Sequence, residues 1–280
     1  MLYIVATPIG NLEDLSPRAV KVLSSVAVIA AEDTRHSGRL LEHLGISKPM
    51  IAFHDHNERD RVQNILGQLL DGADVALISD AGTPLISDPG YVLVREARAA
   101  GVQVSPIPGP CALVAALSAA GLPTDRFLFV GFLPAKRAGR RAVLDELRKE
   151  VATLVFYESP HRILSTVLDI SEVMGVQREV VLGREITKTF ETFYSGEAAD
   201  VHAALTEDPH GSRGEFVVMV KGAEKAEAGL MSGELDVDHL LGLLMAELPL
   251  KKAAKIASGV SGLSKNELYQ RALELKDSEG

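Results

Sequence analysis

Residues 78–90 read ISDAGTPLISDPG and follow on DVALIS (74–79), an apolar run with the character of a buried strand. Thirteen residues holding two aspartates, two prolines and two glycines exceed the roughly 2–6 residues that a plain strand-to-helix turn requires. Elaborate loops at strand ends tend to bind something, because a rigid scaffold holds them while solvent keeps them accessible. On either side, LYIVA (2–6), VAVIA (26–30) and VQVSPI (102–107) read as buried strands, with a weaker one at MIAF (50–53). Helix-length segments separate them: RAVKVL behind a Ser16-Pro17 cap, TRHSGRLLEHL ended by Gly45, and ERDRVQNILGQLL behind Asn57. This alternation predicts an α/β fold with a parallel sheet.

After Gly121 and Pro123 a second α/β series begins: RFLFVGF, a helix at 139–149, TLVFY, a helix after Pro160, EVVLGR, and GEFVVMV (214–220). Residues 222–234 are small and polar and read as a linker. Beyond it the periodicity is helical, in DHLLGLLMAEL, PLKKAAKIASGV and NELYQRALEL. Ser264 and Glu267 have capping-box spacing, and the last two helices, joined by GVSGLS, predict a helix-turn-helix. The expected organisation is an N-terminal α/β domain over 1–122, a second α/β domain over 123–222, and a helical tail over 235–280.

Composition narrows the function. A single cysteine, Cys111, excludes a disulfide framework and a cysteine-based zinc site. A net charge of −9 argues against wholesale coating by nucleic acid but allows local basic patches. The longest uncharged stretch, Ala99–Thr124, is broken by Pro106, Pro108, Pro110 and Pro123 and is no membrane span. The N-terminus lacks a basic region ahead of its short apolar run, so a cytoplasmic protein without membrane association is expected.

Three loops, TPIGN (7–11), residues 78–90 and PIPGPCA (106–112), all fall at carboxyl ends of strands in one sheet and predict one shared pocket. TPIGN offers only Gly10, not a G-x-G-x-x-G fingerprint, so a nicotinamide dinucleotide is not supported. Candidate general bases are Glu32, with Asp33 and Arg35, in AAEDTRH; Glu158 in FYESPHR; and Glu185, with Lys188, in REITKTFE. For each, the plainer alternative is an ion pair on the surface or between domains. The run His54-Asp55-His56-Asn57-Glu58 has alternating histidines, but the other histidines form no second cluster; a polar rim is expected there, and no metal. Two islands are basic without any acidic residue: Arg126–Leu144, including Lys136, Arg137, Arg140 and Arg141, and Pro249–Lys265, including Lys251, Lys252 and Lys255. Both are expected to touch phosphate, the first from a flexible loop over 134–139 and the second from the helical tail, whose Ala253, Ala254 and Ile256 would pack.

YIVATPIGNL, VIAAEDTRHSGRLL, SDAGTPLISDPG, PGPCA, TDRFLFVGFLPAK, FYESPHR, REITKTFE and ELPLKKAA together resemble the tetrapyrrole-methylase superfamily. Within it they resemble the family of small-subunit ribosomal RNA (cytidine-2′-O)-methyltransferases, from Leu2 to about Leu275. The resemblance implies two α/β domains with S-adenosylmethionine in the cleft between them, a ribose 2′-hydroxyl of small-subunit ribosomal RNA as acceptor, and a homodimer. It implies cofactor contacts at Ile9, Gly10, Gly82, Thr83, Ile86, Cys111, Ala112 and Tyr157. Thr83 stands where relatives carry aspartate, which leaves a carboxylate contact to Asp80. The alternatives are a precorrin-type tetrapyrrole methyltransferase, which the shared fold permits, and a non-catalytic RNA-binding assembly factor.

Overall fold

The computed structural model describes residues 1–54, 58–224 and 236–278. Asn57 and most of the expected linker lie outside them. The chain forms two compact units, Met1–Ala223 and Glu224–Gly280.

The first unit holds two five-stranded sheets. Its first half runs β1 (Leu2–Val5), α1 (Pro17–Ser25), β2 (Val28–Ala31), α2 (Thr34–His43), β3 (Met50–Ala52), α3 (Glu58–Leu70), β4 (Val75–Ile78), α4 (Tyr91–Ala99), β5 (Val104–Ile107) and α5 (Ala112–Ala119). The strands lie in the order β3-β2-β4-β1-β5, all parallel. Helices cover both faces of such a sheet, so β2 and β4 are buried at every residue and read as unbroken apolar runs. The expected punctuation holds locally. Ser16 Oγ accepts the Ala19 N–H at 3.1 Å with Pro17 in the first turn, and Gly45 takes φ +66° just after α2.

The strand order creates the crevice. From β1 the chain moves to one side of the sheet, and from β4 to the other, so the carboxyl ends of β1 and β4 flank the topological switch point. The loops after these strands are tied to each other. The Thr7 N–H donates to the Gly82 carbonyl at 2.8 Å, and the Gly82 N–H donates back to the Thr7 carbonyl at 3.0 Å.

The second half runs β6 (Phe127–Phe132), α6 (Arg137–Leu147), β7 (Thr153–Glu158), α7 (Ile163–Met174), β8 (Glu179–Arg184), β9 (Thr192–Glu197), α8 (Ala198–Glu207) and β10 (Phe216–Val220). The order is β6-β7-β10-β8-β9. Only β6 and β7 are parallel, because β10 inserts antiparallel between β7 and β8, and β9 folds back on β8 as a hairpin. The sheet is therefore mixed, where a continued parallel series is the simpler expectation. β9 carries no strong apolar period, since it lies on an edge and none of its residues is fully buried. Apolar side chains of α5 (Leu113, Ala116, Leu117) form one cluster with Val155, Val181, Val217 and Met219 of the second sheet, which joins the two halves.

The second unit comprises α9 (Val237–Glu247), α10 (Leu250–Ser261) and α11 (Lys265–Ser278). Its core is Val237, Leu241, Ala254, Ala257, Leu268 and Ala272. Ser264 and Glu267 form a reciprocal capping box: the Glu267 N–H donates to Ser264 Oγ at 3.2 Å, and the Ser264 N–H to Glu267 Oε2 at 3.3 Å. Ile256 corrects the expected packing of α10. It is 45% exposed, and Ala257 takes its place inside.

Candidate active site

A cleft of about 460 Å³ opens beside the switch point. The first-sheet loops supply Ile9, Asp80, Gly82, Thr83, Ile86, Cys111 and Ala112 to its walls, and Tyr157 comes from the end of β7. Gly10 is the one expected cofactor residue outside this lining. Its backbone is pressed by the Lys188 side chain, and a Cβ there would run into Lys188 Cγ.

The loop after β4 is built under strain. Gly82 has φ +88°, a conformation that costs a side-chain-bearing residue free energy. Leu85 and Ser87 adopt φ +75° and +64° without being glycine. Such clusters persist where the surroundings over-determine them, commonly at ligand sites. The surroundings are visible: Thr7 Oγ1 donates to the Ser79 carbonyl at 3.1 Å, and Thr83 Oγ1 to the Pro110 carbonyl at 2.9 Å. The three loops anticipated at strand ends thus meet as one hydrogen-bonded frame. Gly90 (φ +133°) closes the loop, where a Cβ would meet Leu77 Cδ2 at 2.8 Å.

Tyr157 links the two halves. Its Oη accepts the Leu113 N–H at 3.1 Å, and Phe129 and Phe132 pack edge-on against its ring at 4.9 and 5.8 Å. Burial pushes its hydroxyl upward, and Cys111 and Asp88 add to this, so it stays protonated at neutral pH.

The three candidate bases separate. Glu158 lines the cleft, but its carboxylate is buried and occupied. It accepts the Ser159 N–H at 2.7 Å, Thr166 Oγ1 at 2.7 Å and the Arg162 guanidinium at 2.6 Å. Glu185 does not line the cleft. It accepts Lys188 Nζ at 2.9 Å and the Glu215 N–H at 3.0 Å. Burial pushes the Glu185 carboxyl up, yet these two donors outweigh it and hold it below its ordinary value. Lys188 is raised in turn, because Glu185 and Glu215 outweigh its own burial, so it stays cationic. Glu32 lines the cleft, and its Oε2 accepts the Asp80 N–H at 3.4 Å, while Asp80 Oδ1 accepts the Asp33 N–H at 3.0 Å. Asp33 and Arg35 pair with each other at 2.8 Å, which holds the Asp33 carboxyl well below the usual range.

The first basic island needs correction. Residues from Arg137 onward are helix α6, not a flexible loop. Arg140 is 3% exposed and pairs with Asp169 at 2.7 Å, while Arg137 and Arg141 bind Asp169 and Glu172. The acidic partners come from α7, some thirty residues downstream, which is why a scan for local charge does not see them. Arg140 is therefore taken up inside the fold, buried against Asp169 and away from any phosphate outside. Lys136 is exposed and forms no ion pair among the described residues. On α10, Lys251, Lys252 and Lys255 are exposed.

Sequence reasoning missed Ser87, Asp88, Phe132, Ser159, Pro160, Ile186 and Glu215–Val217, which also line the cleft. Glu215–Val217 reach it only because β10 lies next to β7, a pairing that no local signal announces. Of the His54–Glu58 run, Asp55, His56 and Asn57 lie outside the described residues. Among the described residues no three His, Cys, Asp or Glu side chains converge as a metal site.

The fold and cleft define an α/β enzyme with its site at the switch point of a parallel sheet, roofed by a second, mixed sheet. Residues 1–202 match the Tetrapyrrole (Corrin/Porphyrin) Methylases, and residues 232–276 match the RsmI C-terminal HTH domain. The chain belongs to the tetrapyrrole methylase family and is a methyltransferase. It is 56% identical to Ribosomal RNA small subunit methyltransferase I of Pseudomonas aeruginosa, over 98% of this chain and 96% of that one. It is 53% identical to the Escherichia coli O157:H7 protein of the same name, over 98% and 94%. In fold it is similar to the methyltransferase CobJ (TM-score 0.59, 19% identity, 81% of this chain and 96% of that one). It is also similar to uroporphyrin-III-C-methyltransferase from Thermus thermophilus (TM-score 0.54, 22% identity, 79% and 93%). Among the described residues no helix is long and apolar enough to cross a membrane.

Proposed function

We propose that this methyltransferase transfers the methyl group of S-adenosylmethionine to the ribose 2′-hydroxyl of a cytidine in small-subunit ribosomal RNA. The observation that carries the reading is the end-to-end similarity, at 56% identity, to a ribosomal RNA small subunit methyltransferase, the helical unit included. CobJ and the Thermus thermophilus uroporphyrin-III-C-methyltransferase cover 81% and 79% of this chain and leave out about a fifth, the length of that helical unit. A tetrapyrrole acceptor would give such a unit nothing to do.

The residues present fit the cofactor. Ile9, Ile86, Cys111, Ala112 and Ile186 offer an apolar wall, and Gly82, with Ile9 Cγ2 only 3.2 Å from where a Cβ would sit, keeps that wall open to close backbone approach. Asp80 supplies a carboxylate to the lining. When bound, S-adenosylmethionine supplies an electrophilic methyl group on a cationic sulfonium, which suits a largely apolar cleft with a carboxylate in its lining.

The chain's own contribution is first one of positioning. Holding two reactants in line is worth roughly 7–11 kcal/mol, more than the 10²–10⁴-fold that a general base adds. Glu32 is the proton acceptor we assign, because its side chain lines the cleft, whereas Glu185 does not and the carboxylate of Glu158 is buried among three donors. Tyr157, kept protonated, orients groups in the cleft and does not act as a base. Glu32→Gln is expected to lower kcat by roughly 10²-fold and to leave S-adenosylmethionine affinity within a few-fold of wild type. Full turnover in that variant would leave positioning as the whole mechanism. The protein is further proposed to act in the cytoplasm as a homodimer, a reading supported by exposed Phe127 and Leu128 on edge strand β6 and testable by light scattering.

A further inference from the structure

A second, smaller cavity of about 210 Å³ adjoins the cleft, and Asp80 lines both. Its other walls are Thr7, Pro8 and Leu12 from the loop after β1, and His36, Arg39, Leu40 and His43 from α2. Positions 36, 39, 40 and 43 fall on one helix face, at spacings of three, four and seven residues. That face therefore presents His36, Arg39 and His43 side by side. All three are exposed, and none forms an ion pair or side-chain hydrogen bond among the described residues. In a chain of net charge −9, an Arg39 guanidinium that forms no ion pair among the described residues, flanked by two imidazoles, presents N–H donors to a ligand. Arg35, one position away, shows the contrast: Asp33 has already claimed it.

The size of the cavity limits the ligand. It falls below the roughly 300–1,000 Å³ of a pocket that swallows a whole small molecule, but it accommodates a single anionic group. Arg39 offers a planar fork of N–H donors, the geometry that grips phosphate oxygens in pairs, and the imidazoles add N–H donors on either side. Asp80 repels an anion from the cleft side, which leaves the helix face as its resting place. We propose that His36, Arg39 and His43 form an acceptor subsite that takes a backbone phosphate next to the target ribose and so holds its hydroxyl at the mouth of the cleft. The proposal rests on the RNA-methylation reading above and adds the point of grip nearest the chemistry.

The test uses the full chain, small ribosomal subunits that lack the modification, and the triple variant His36→Asn, Arg39→Gln, His43→Asn. The expected result is a KM for the subunit raised roughly tenfold or more, with kcat at saturating subunit within about twofold of wild type and S-adenosylmethionine affinity unchanged. The log–log salt dependence should flatten by about 0.7–0.9 for each phosphate that is no longer gripped. Arg39→Lys, which keeps the charge but not the fork, should fall between the two. A triple variant with wild-type KM and salt slope overturns the subsite, as does one whose loss lies in cofactor affinity. Wild-type protein that transfers no methyl to the subunit in the same assay overturns the function itself, so the two failures are distinguishable.

Discussion

Gly82→Val tests the loop that shapes the cleft. Gly82 sits at φ +88°, and a Cβ there would stand 3.2 Å from Ile9 Cγ2 and 3.7 Å from the Pro110 carbonyl oxygen. A β-branched residue forced into this region carries roughly 1–3 kcal/mol of strain. The free protein can relieve it by loosening the paired Thr7–Gly82 hydrogen bonds, at 2.8 and 3.0 Å, and binding must then restore them. The strain reappears as lost affinity, and at about 1.4 kcal/mol per tenfold it weakens S-adenosylmethionine binding between about fivefold and 150-fold. Titration calorimetry reads this directly. The control is Gly45→Val, at φ +66° with no atom near its added Cβ, which carries similar strain outside the cleft lining. It should lower stability and leave cofactor affinity alone. A Gly82→Val protein that binds as wild type, or a Gly45→Val protein that loses affinity equally, would show that the backbone at Gly82 does not shape the cofactor site.

Glu158→Ala removes a buried acceptor from Arg162, Thr166 and the Ser159 N–H, and should cost about 3–5 kcal/mol in urea unfolding; an unchanged midpoint would contradict a structural role. Asp169 is pushed up by burial, but Arg137 and Arg140 outweigh this and hold it below its ordinary value. The native state then binds fewer protons than the unfolded chain, so stability is full above about pH 4 and falls as the pH drops further. Urea unfolding from pH 6 to pH 3 should show this slope, and Asp169→Asn should flatten it. Changing Lys251, Lys252 and Lys255 together to Gln should weaken subunit binding about equally across RNA sequences, with cofactor affinity and helix content unchanged, because Ala253, Ala254 and Ala257 hold α10 from its other side. Filter binding and circular dichroism check the two halves of that statement.

Much of the fold was legible in the chain. The first sheet announces itself because doubly covered parallel strands leave runs such as VALI and VIAA, and Ser16-Pro17, Gly45 and Ser264–Glu267 mark helix ends through local hydrogen bonds. The 78–90 loop stands out by its sequence, and the residues expected at the cofactor, Gly10 apart, line one cleft. What stayed hidden depends on distant partners. The insertion of β10 between β7 and β8 follows from sheet pairing, and it brings Glu215–Val217 to the cleft without a local trace. The Arg137–Arg140–Arg141 cluster looks like a phosphate track until α7 supplies Asp169 and Glu172. Glu158 looks like a base until its donors are counted.

The function itself is tested by transfer of a labelled methyl group from S-adenosylmethionine to small ribosomal subunits that lack the modification, followed by nuclease and alkaline mapping of the product. The expected product carries close to one methyl per subunit, on the 2′-oxygen of a single cytidine, seen as one phosphodiester bond resistant to alkali. Label on a base, or label accepted by a tetrapyrrole while the RNA stays unmodified, would contradict a ribose methyltransferase.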